Sequence, residues 1–253
     1  PWIEGVIRLI ITALETLRLD GHANLVWLRI ETESGLIGVG ETFFHPGAVE
    51  AYLHQSVAPQ IIGRDASEIG AINAMLVRQP VGYASSGVEM RAASAVDMAL
   101  WDVAGQQAGQ PLFKLLGGAA RASIPIYNTC AGPSYVRKPK LGDTDAWFGL
   151  DAPPHPLDDL RAFEEEPARL AGELIAAGIG GMKIWPFDRA AFLNGGVGIT
   201  TAQIEAGLAP FRRIRETHGA AIDLMLEMHA LWDVTSAERI IRAIEPYDPL
   251  WIE

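Results

Sequence analysis

Ile222-Asp223-Leu224-Met225-Leu226-Glu227 leads into a helical stretch through Ala237, Ile240, Ile241 and Ile244, and then into Leu250-Trp251-Ile252-Glu253. Both flanking runs are short, mostly apolar and closed by a glutamate, while the segment between them places its apolar residues at helical spacing. Apolar strands separated by amphipathic helices belong to a parallel sheet covered by helices, because both faces of such strands are buried. Working back along the chain, the alternation recurs. Residues 201 to 218 are helical through Ile204, Leu208, Phe211 and Ile214, Gly181-Met182-Lys183-Ile184-Trp185 is a short strand, residues 159 to 177 are helical through Leu160, Phe163, Leu170, Leu174 and Ile175, and Ile124 to Cys130 is strand-like. Thr235-x-x-Glu238 reads as a capping box opening the last helix. Only four such strands fit, whereas a closed eightfold barrel takes about 250 residues by itself. Residues 121–253 are therefore expected to form a parallel sheet covered by helices, with too few strands for a closed barrel.

Upstream the pattern changes. Val6-Ile7-Arg8-Leu9-Ile10-Ile11-Thr12, Leu25-Val26-Trp27-Leu28-Arg29-Ile30 and Gly35-Leu36-Ile37-Gly38-Val39-Gly40-Glu41, separated by turn signals at Asp20-Gly21 and Glu33-Ser34-Gly35, predict an antiparallel meander. Helical spacing follows from about Pro46 to Gly109, and the glycines and proline from Gly105 to Gly118 close it, so residues 1–120 read as an α+β unit. Gly132 to Pro156, rich in Pro, Gly, Asp and Lys, reads as a long loop, either a lid or a surface insertion. Pro1 in place of methionine, and a strand that stops at its own last residue, suggest a chain cut at both ends.

Composition narrows the partners. The 253 residues carry 20 Lys+Arg against 31 Asp+Glu, a net charge of -11, which repels nucleic acid and anionic membrane surfaces. No apolar run reaches the roughly 18 residues of a membrane span, and no signal peptide is visible. The one cysteine, Cys130, excludes an intrachain disulfide framework and fits a reducing compartment, so a cytoplasmic location is expected. Glycine-rich phosphate loops that open a helix and GxSxG elbows are absent, which sets aside dinucleotide oxidoreductases and serine hydrolases.

The chemistry is expected at the strand ends, since the C-terminal edge of a βα sheet is where ligands meet protein. Glu227 and Glu253 each end a strand, and paired carboxylates suit a hard divalent cation, Mg²⁺, Mn²⁺ or Ca²⁺, over softer metals. The bland reading makes Glu227 an ion-pair partner and Glu253 an exposed end. Lys183 closes the second parallel strand, where its ammonium supports an anionic substrate or, with a lowered pKa, serves as base or amine nucleophile; alternatively it snorkels to solvent. His229, two residues beyond Glu227, falls on the same side of an extended strand end and exchanges protons near neutrality. Trp185, Trp232 and His45 line a pocket or simply pack.

Taken together, Gly38-Val39-Gly40-Glu41, the run Ala95-Val96-Asp97-Met98-Ala99-Leu100-Trp101-Asp102, Gly109-Gln110-Pro111-Leu112, Leu115-Leu116-Gly117-Gly118 and Trp251-Ile252-Glu253 resemble the mandelate racemase and muconate lactonizing branch of the enolase superfamily over essentially the whole chain. The resemblance implies an α+β capping domain, residues 1–120, followed by an incomplete (β/α) TIM-type barrel, residues 121–253, with Mg²⁺ held by acidic residues on the third and fourth barrel strands. Here those are Glu227 and Glu253, 26 positions apart. It also implies that His22, in the Leu19 to Asn24 turn, and His45, in the Phe43 to Gly47 loop, lie on segments that close over substrate. The family's Lys-x-Lys is here Lys183-Ile184-Trp185, so the second lysine, its base, is replaced. Glu227-x-His229 is similar to the acid-sugar dehydratases of the group, in which the histidine assists departure of a β-hydroxyl. The implied third metal ligand and His/Asp base pair are not among these residues. A Mg²⁺-dependent dehydratase acting on a sugar acid, working as a homo-oligomer in a longer form, is the expectation. An epimerase or cycloisomerase, a Schiff-base aldolase through Lys183, and a non-catalytic half-barrel are the alternatives.

Overall fold

The computed structural model describes residues 8–78, 86–132 and 158–253. Apart from Gly132, the long loop expected over Gly132 to Pro156 lies outside the described residues. The chain divides into two compact units, Pro1–Ala122 with Val136–Pro139, and Ser123–Tyr135 with Lys140–Glu253. Among the described residues no helix is long and apolar enough to cross a membrane.

In the first unit β1 (Ile11–Leu17), β2 (Leu25–Thr32) and β3 (Ile37–Phe43) form an antiparallel sheet in chain order. Alternate residues of β2, Val26, Leu28, Ile30 and Thr32, are buried, as the period of two requires for a sheet with one face on a core. That face meets the long helix Val88–Ala108, which buries Ala92, Ala95, Val96, Ala99, Leu100 and Val103. Gly38 and Gly40 on β3 have no side chain because there is no room for one: a Cβ there would run into the carbonyls of Ala99 and Ala95. The helix and strand are also joined by Asp102 Oδ2, which accepts the Val39 N–H at 2.9 Å.

The first strand begins later than the apolar run from Val6 to Thr12 predicts. Val6 and Ile7 lie outside the described residues, and Leu9 is bound instead to a turn, its carbonyl accepting the Ala66 N–H at 2.8 Å. Ile10 makes a bridge to Asp65, and its carbonyl accepts the Glu33 N–H at 2.8 Å. Hydrophobicity alone does not tell a strand from a segment recruited by a neighbouring turn.

In the second unit β4 (Tyr127–Asn128), β5 (Gly181–Ile184), β6 (Asp223–Leu226) and β7 (Pro249–Ile252) are parallel and adjacent in chain order. Met182, Ile184, Leu224 and Leu226 pack with Phe163, Phe187 and Phe211 from the connecting segments. Four local expectations are corrected. The strand expected from Ile124 to Cys130 pairs only at Tyr127–Asn128. The helix expected over 159 to 177 is two, Asp159–Glu165 and Pro167–Ala176, because Pro167 drives Glu166 out of helical geometry to φ -134° and ψ 54°. An additional short helix, Asp188–Asn194, follows β5. The last helix, Val234–Ile244, is capped by Asp233, whose carboxylate accepts the Ser236 N–H at 2.7 Å, and Thr235 is already inside it. The capping box lies elsewhere, at Thr200 and Gln203 on the helix Thr201–His218.

Candidate active site

A parallel sheet brings the C-terminal ends of its strands to one edge, and backbone hydrogen bonds there set the side chains against one another. Glu227 N–H donates to Ile184 O at 3.0 Å, Glu253 N–H to Leu226 O at 2.8 Å, and Met228 N–H to Glu253 O at 2.9 Å. Lys183, Glu227 and Glu253 are thereby placed on one side of the sheet. The Lys183 Nζ donates to Glu227 Oε2 at 2.7 Å and to Glu253 Oε2 at 2.5 Å, so both carboxylates are held within hydrogen-bond reach of a single atom. Lys183 is 6% exposed and Glu227 7%, whereas the Glu253 side chain is 56% exposed.

Burial works against the charge on Lys183, but its hydrogen bonds to Glu227 and Glu253 outweigh it and hold the ammonium above the ordinary lysine value. For Glu227 burial likewise opposes ionisation, and the Lys183 ammonium together with the His229 backbone N–H brings its carboxyl below the ordinary glutamate value. This pairing speaks against the Schiff-base reading. An amine nucleophile needs a lowered pKa, and an ammonium between two carboxylates has the reverse.

His229 lies beside this cluster for a different reason from strand alternation. Strand β6 ends at Leu226, and His229 has φ 47°, so the chain has already turned. Its N–H folds back onto Glu227 Oε1 at 2.8 Å, and its Nδ1 lies 2.7 Å from Asp188 Oδ2. Trp185 is 3% exposed and sits in the core, its ring edge-on to the His229 imidazole at 4.8 Å and tilted against Phe163 at 6.2 Å. Trp232 packs against the same core.

Sequence reasoning missed Asp188. It is 0% exposed, opens the helix after β5, and burial raises its carboxyl above the ordinary aspartate value against the opposing pull of His229. Its Oδ1 has no hydrogen-bond partner among the described residues. An unpartnered buried polar atom costs about 1–3 kcal/mol, and more when it carries charge. In the sequence an aspartate at a helix start is indistinguishable from a cap, so no local signal marks it.

His22 and His45 belong to the first unit. His22 is exposed in the turn Asp20–His22 with its ring edge-on to Trp27 at 6.0 Å. His45, also exposed, takes φ 51° just before the helix Pro46–Tyr52.

Among the described residues no group of three or more His, Cys, Asp or Glu side chains is arranged to hold a metal ion. The donor set nevertheless fits Mg²⁺. Glu227 and Glu253 offer two hard oxygens already gathered about one positive charge, and Mg²⁺ is commonly held by one or two carboxylates with water and substrate completing its shell.

Paired carboxylates and a lysine at the strand ends of a partial βα barrel, in a chain that also holds an α+β unit, define a carboxylate-rich barrel protein. Residues 9–117 match the N-terminal domain of mandelate racemase / muconate lactonizing enzyme, and residues 166–253 match the enolase C-terminal domain-like family. The chain belongs to the enolase superfamily, in its mandelate racemase and muconate lactonizing branch.

Among curated relatives, a D-galactonate dehydratase from Pectobacterium atrosepticum is 30% identical over 245 residues, covering 96% of this chain and 54% of that protein. A D-mannonate dehydratase from Novosphingobium aromaticivorans is 30% identical over 247 residues, covering 96% and 58%. Among solved structures, an enolase protein from environmental shotgun sequencing of the Sargasso Sea is 44% identical with a TM-score of 0.79, covering 96% of this chain and 57% of that one. An enolase of the mandelate racemase subgroup from Agrobacterium tumefaciens is 36% identical with the same TM-score of 0.79, covering 96% and 56%. The chain thus spans little more than half the length of these relatives.

Proposed function

We propose that this protein is a Mg²⁺-dependent acid-sugar dehydratase. It removes the proton α to a carboxylate and eliminates the β-hydroxyl as water, leaving an enol that tautomerises to a 2-keto-3-deoxy sugar acid. The observation that carries the reading is the convergence of Glu227 and Glu253 on one point with His229 bound to the same Glu227. Relatives named for galactonate and mannonate dehydration support the substrate class.

Glu227 and Glu253 would hold the ion, which when bound supplies positive charge against the second negative charge that develops on the substrate carboxylate. Lys183 adds a cation at the same edge and keeps Glu227 ionised. His229 gives a proton to the departing β-hydroxyl, a general-acid contribution on the order of 10²–10⁴-fold. Enclosed by Trp185 and Asp188, its ring is held at one place beside the carboxylates.

The test is a panel of aldonic acids, galactonate and mannonate included, incubated with Mg²⁺ and assayed for keto acid. Keto-acid formation that EDTA stops and Glu227→Gln abolishes is the expected result. Inversion at C-2 without loss of water, or activity that persists in EDTA, overturns the proposal.

A further inference from the structure

We infer that Asp188 is the positioning residue of His229, fixing the imidazole in the form that carries hydrogen on Nδ1 and so making Nε2 the nitrogen that exchanges protons with a ligand. The two side chains come from different βα segments, Asp188 from the helix after β5 and His229 from the turn after β6, and meet with Oδ2 and Nδ1 2.7 Å apart.

Among the described residues, contacts on three separate parts of His229 restrict it. Asp188 takes Nδ1, Glu227 Oε1 accepts the backbone N–H at 2.8 Å, and the Trp185 ring meets the imidazole at an interplanar angle of 62°. The backbone itself is left-handed there, at φ 47° for His229 and 53° for Ala230, a conformation that the surrounding contacts must hold in place.

Asp188 also has the features of a group kept for use rather than for stability. It is fully buried, and its Oδ1 lacks a partner among the described residues. A carboxylate needed only to tie two loops together would be better placed where both oxygens are satisfied. What it does supply is direction: a neutral imidazole has one N–H and one lone pair, and the hydrogen bond made by one nitrogen decides which is which. With Nδ1–H donated to Asp188, Nε2 holds the lone pair. That nitrogen takes up a proton from solvent, giving the imidazolium, and delivers it to the departing β-hydroxyl, and no rotation of the ring is needed between the two steps.

The kinetic half of this inference rests on the dehydratase reading, and the tautomer does not. The experiment is therefore in two arms. Protein labelled with ¹⁵N in histidine is examined by long-range ¹H–¹⁵N correlation at a pH where the ring is neutral, with His229→Gln used to assign the signal. The wild-type ring is expected to carry hydrogen on Nδ1 alone. In Asp188→Asn, whose carboxamide either accepts from or donates to Nδ1, that preference is lost. Turnover of the best keto-acid-forming substrate falls on the order of 10²-fold in kcat, with KM little changed.

A wild-type ring protonated on Nε2 instead, with Asp188 as donor, overturns the inference, and this measurement stands even where the variant fails to fold. So does a folded Asp188→Asn protein with an unaltered tautomer or an unaltered kcat. If no sugar acid is turned over by the wild-type protein, the dehydratase reading falls and the spectra alone decide the pairing.

Discussion

Replacing Lys183 by Met removes one cation and keeps the unbranched stem but for its terminal atom, which isolates the electrostatic work of the cluster. Lys183 Nζ serves both Glu227 and Glu253, but the two glutamates lose different amounts. Glu253, its side chain 56% exposed, can turn into water and loses little, as exposed pairs do. Glu227 is 7% exposed and, among the described residues, keeps only the His229 N–H at 2.8 Å. Stranding a buried charge costs about 3–5 kcal/mol, and the remaining hydrogen bond sets the expectation at the lower end, about 3 kcal/mol.

The amides of Glu227, Met228 and Glu253 report this locally, since their hydrogen bonds span the strand ends of β5, β6 and β7. Read by hydrogen exchange in EDTA, they should exchange on the order of 10²-fold faster in Lys183→Met than in the parent at neutral pH.

The pH dependence carries the sign. In the parent, Glu227 has a depressed pKa, so its contribution is present above about pH 4.3 and lost as pH falls through the folded value. In the variant, burial without the cation raises that pKa. Stability is then complete below about pH 4.3 and is lost as pH rises through the folded value. The ratio of exchange rates between variant and parent should therefore be largest at neutral pH and shrink in acid. A ratio below about tenfold at neutral pH, or one that does not narrow in acid, would refute the assignment of Lys183 as the counter-charge of Glu227.

Other positions make independent predictions. Gly40→Ala forces a methyl group onto the Ala95 carbonyl and should destabilise the first unit by about 1–3 kcal/mol, whereas Gly21→Ala, where nothing lies within 4 Å, should change a thermal melt by less than about 0.5 kcal/mol. Ser236 Oγ accepts the N–H groups of Gly198 at 3.0 Å and Ile199 at 3.3 Å, so Ser236→Ala should cost about 1–3 kcal/mol and speed exchange of those two amides; unchanged exchange would contradict the assignment. Cys130 is 0% exposed and burial, with the nearby Asp159 charge, pushes its thiol far above the ordinary cysteine value. It should stay unmodified by a thiol reagent in the folded protein at neutral pH and react fully on unfolding, and rapid native labelling would exclude the burial described.

The strands and helices that carry the site were legible because their signals are local. Met182, Ile184, Leu224 and Leu226 are apolar at alternate positions and turn one face of their strands into the core, and Thr201–His218 shows its helical period despite Pro210. Boundaries were less legible where a neighbour intervened. Pro167 split one helix, Asp233 took the cap from Thr235, and the turn at 63–66 drew Leu9 out of the first strand. The glutamates at positions 227 and 253 could be singled out because each closes an apolar strand. Asp188 could not, since a buried carboxylate and an exposed helix cap look alike in one dimension.

Residue order alone determined that Glu227 and Glu253 end consecutive strands of a parallel sheet, and parallel pairing places such ends on one edge because every connection returns the chain to the same starting side. Tertiary structure decided what those carboxylates face. The convergence of Lys183 on both, and the meeting of Asp188 with His229 across 41 positions of sequence, depend on register, on a left-handed backbone turn and on burial. These arise from packing between segments that carry no record of one another in their local composition.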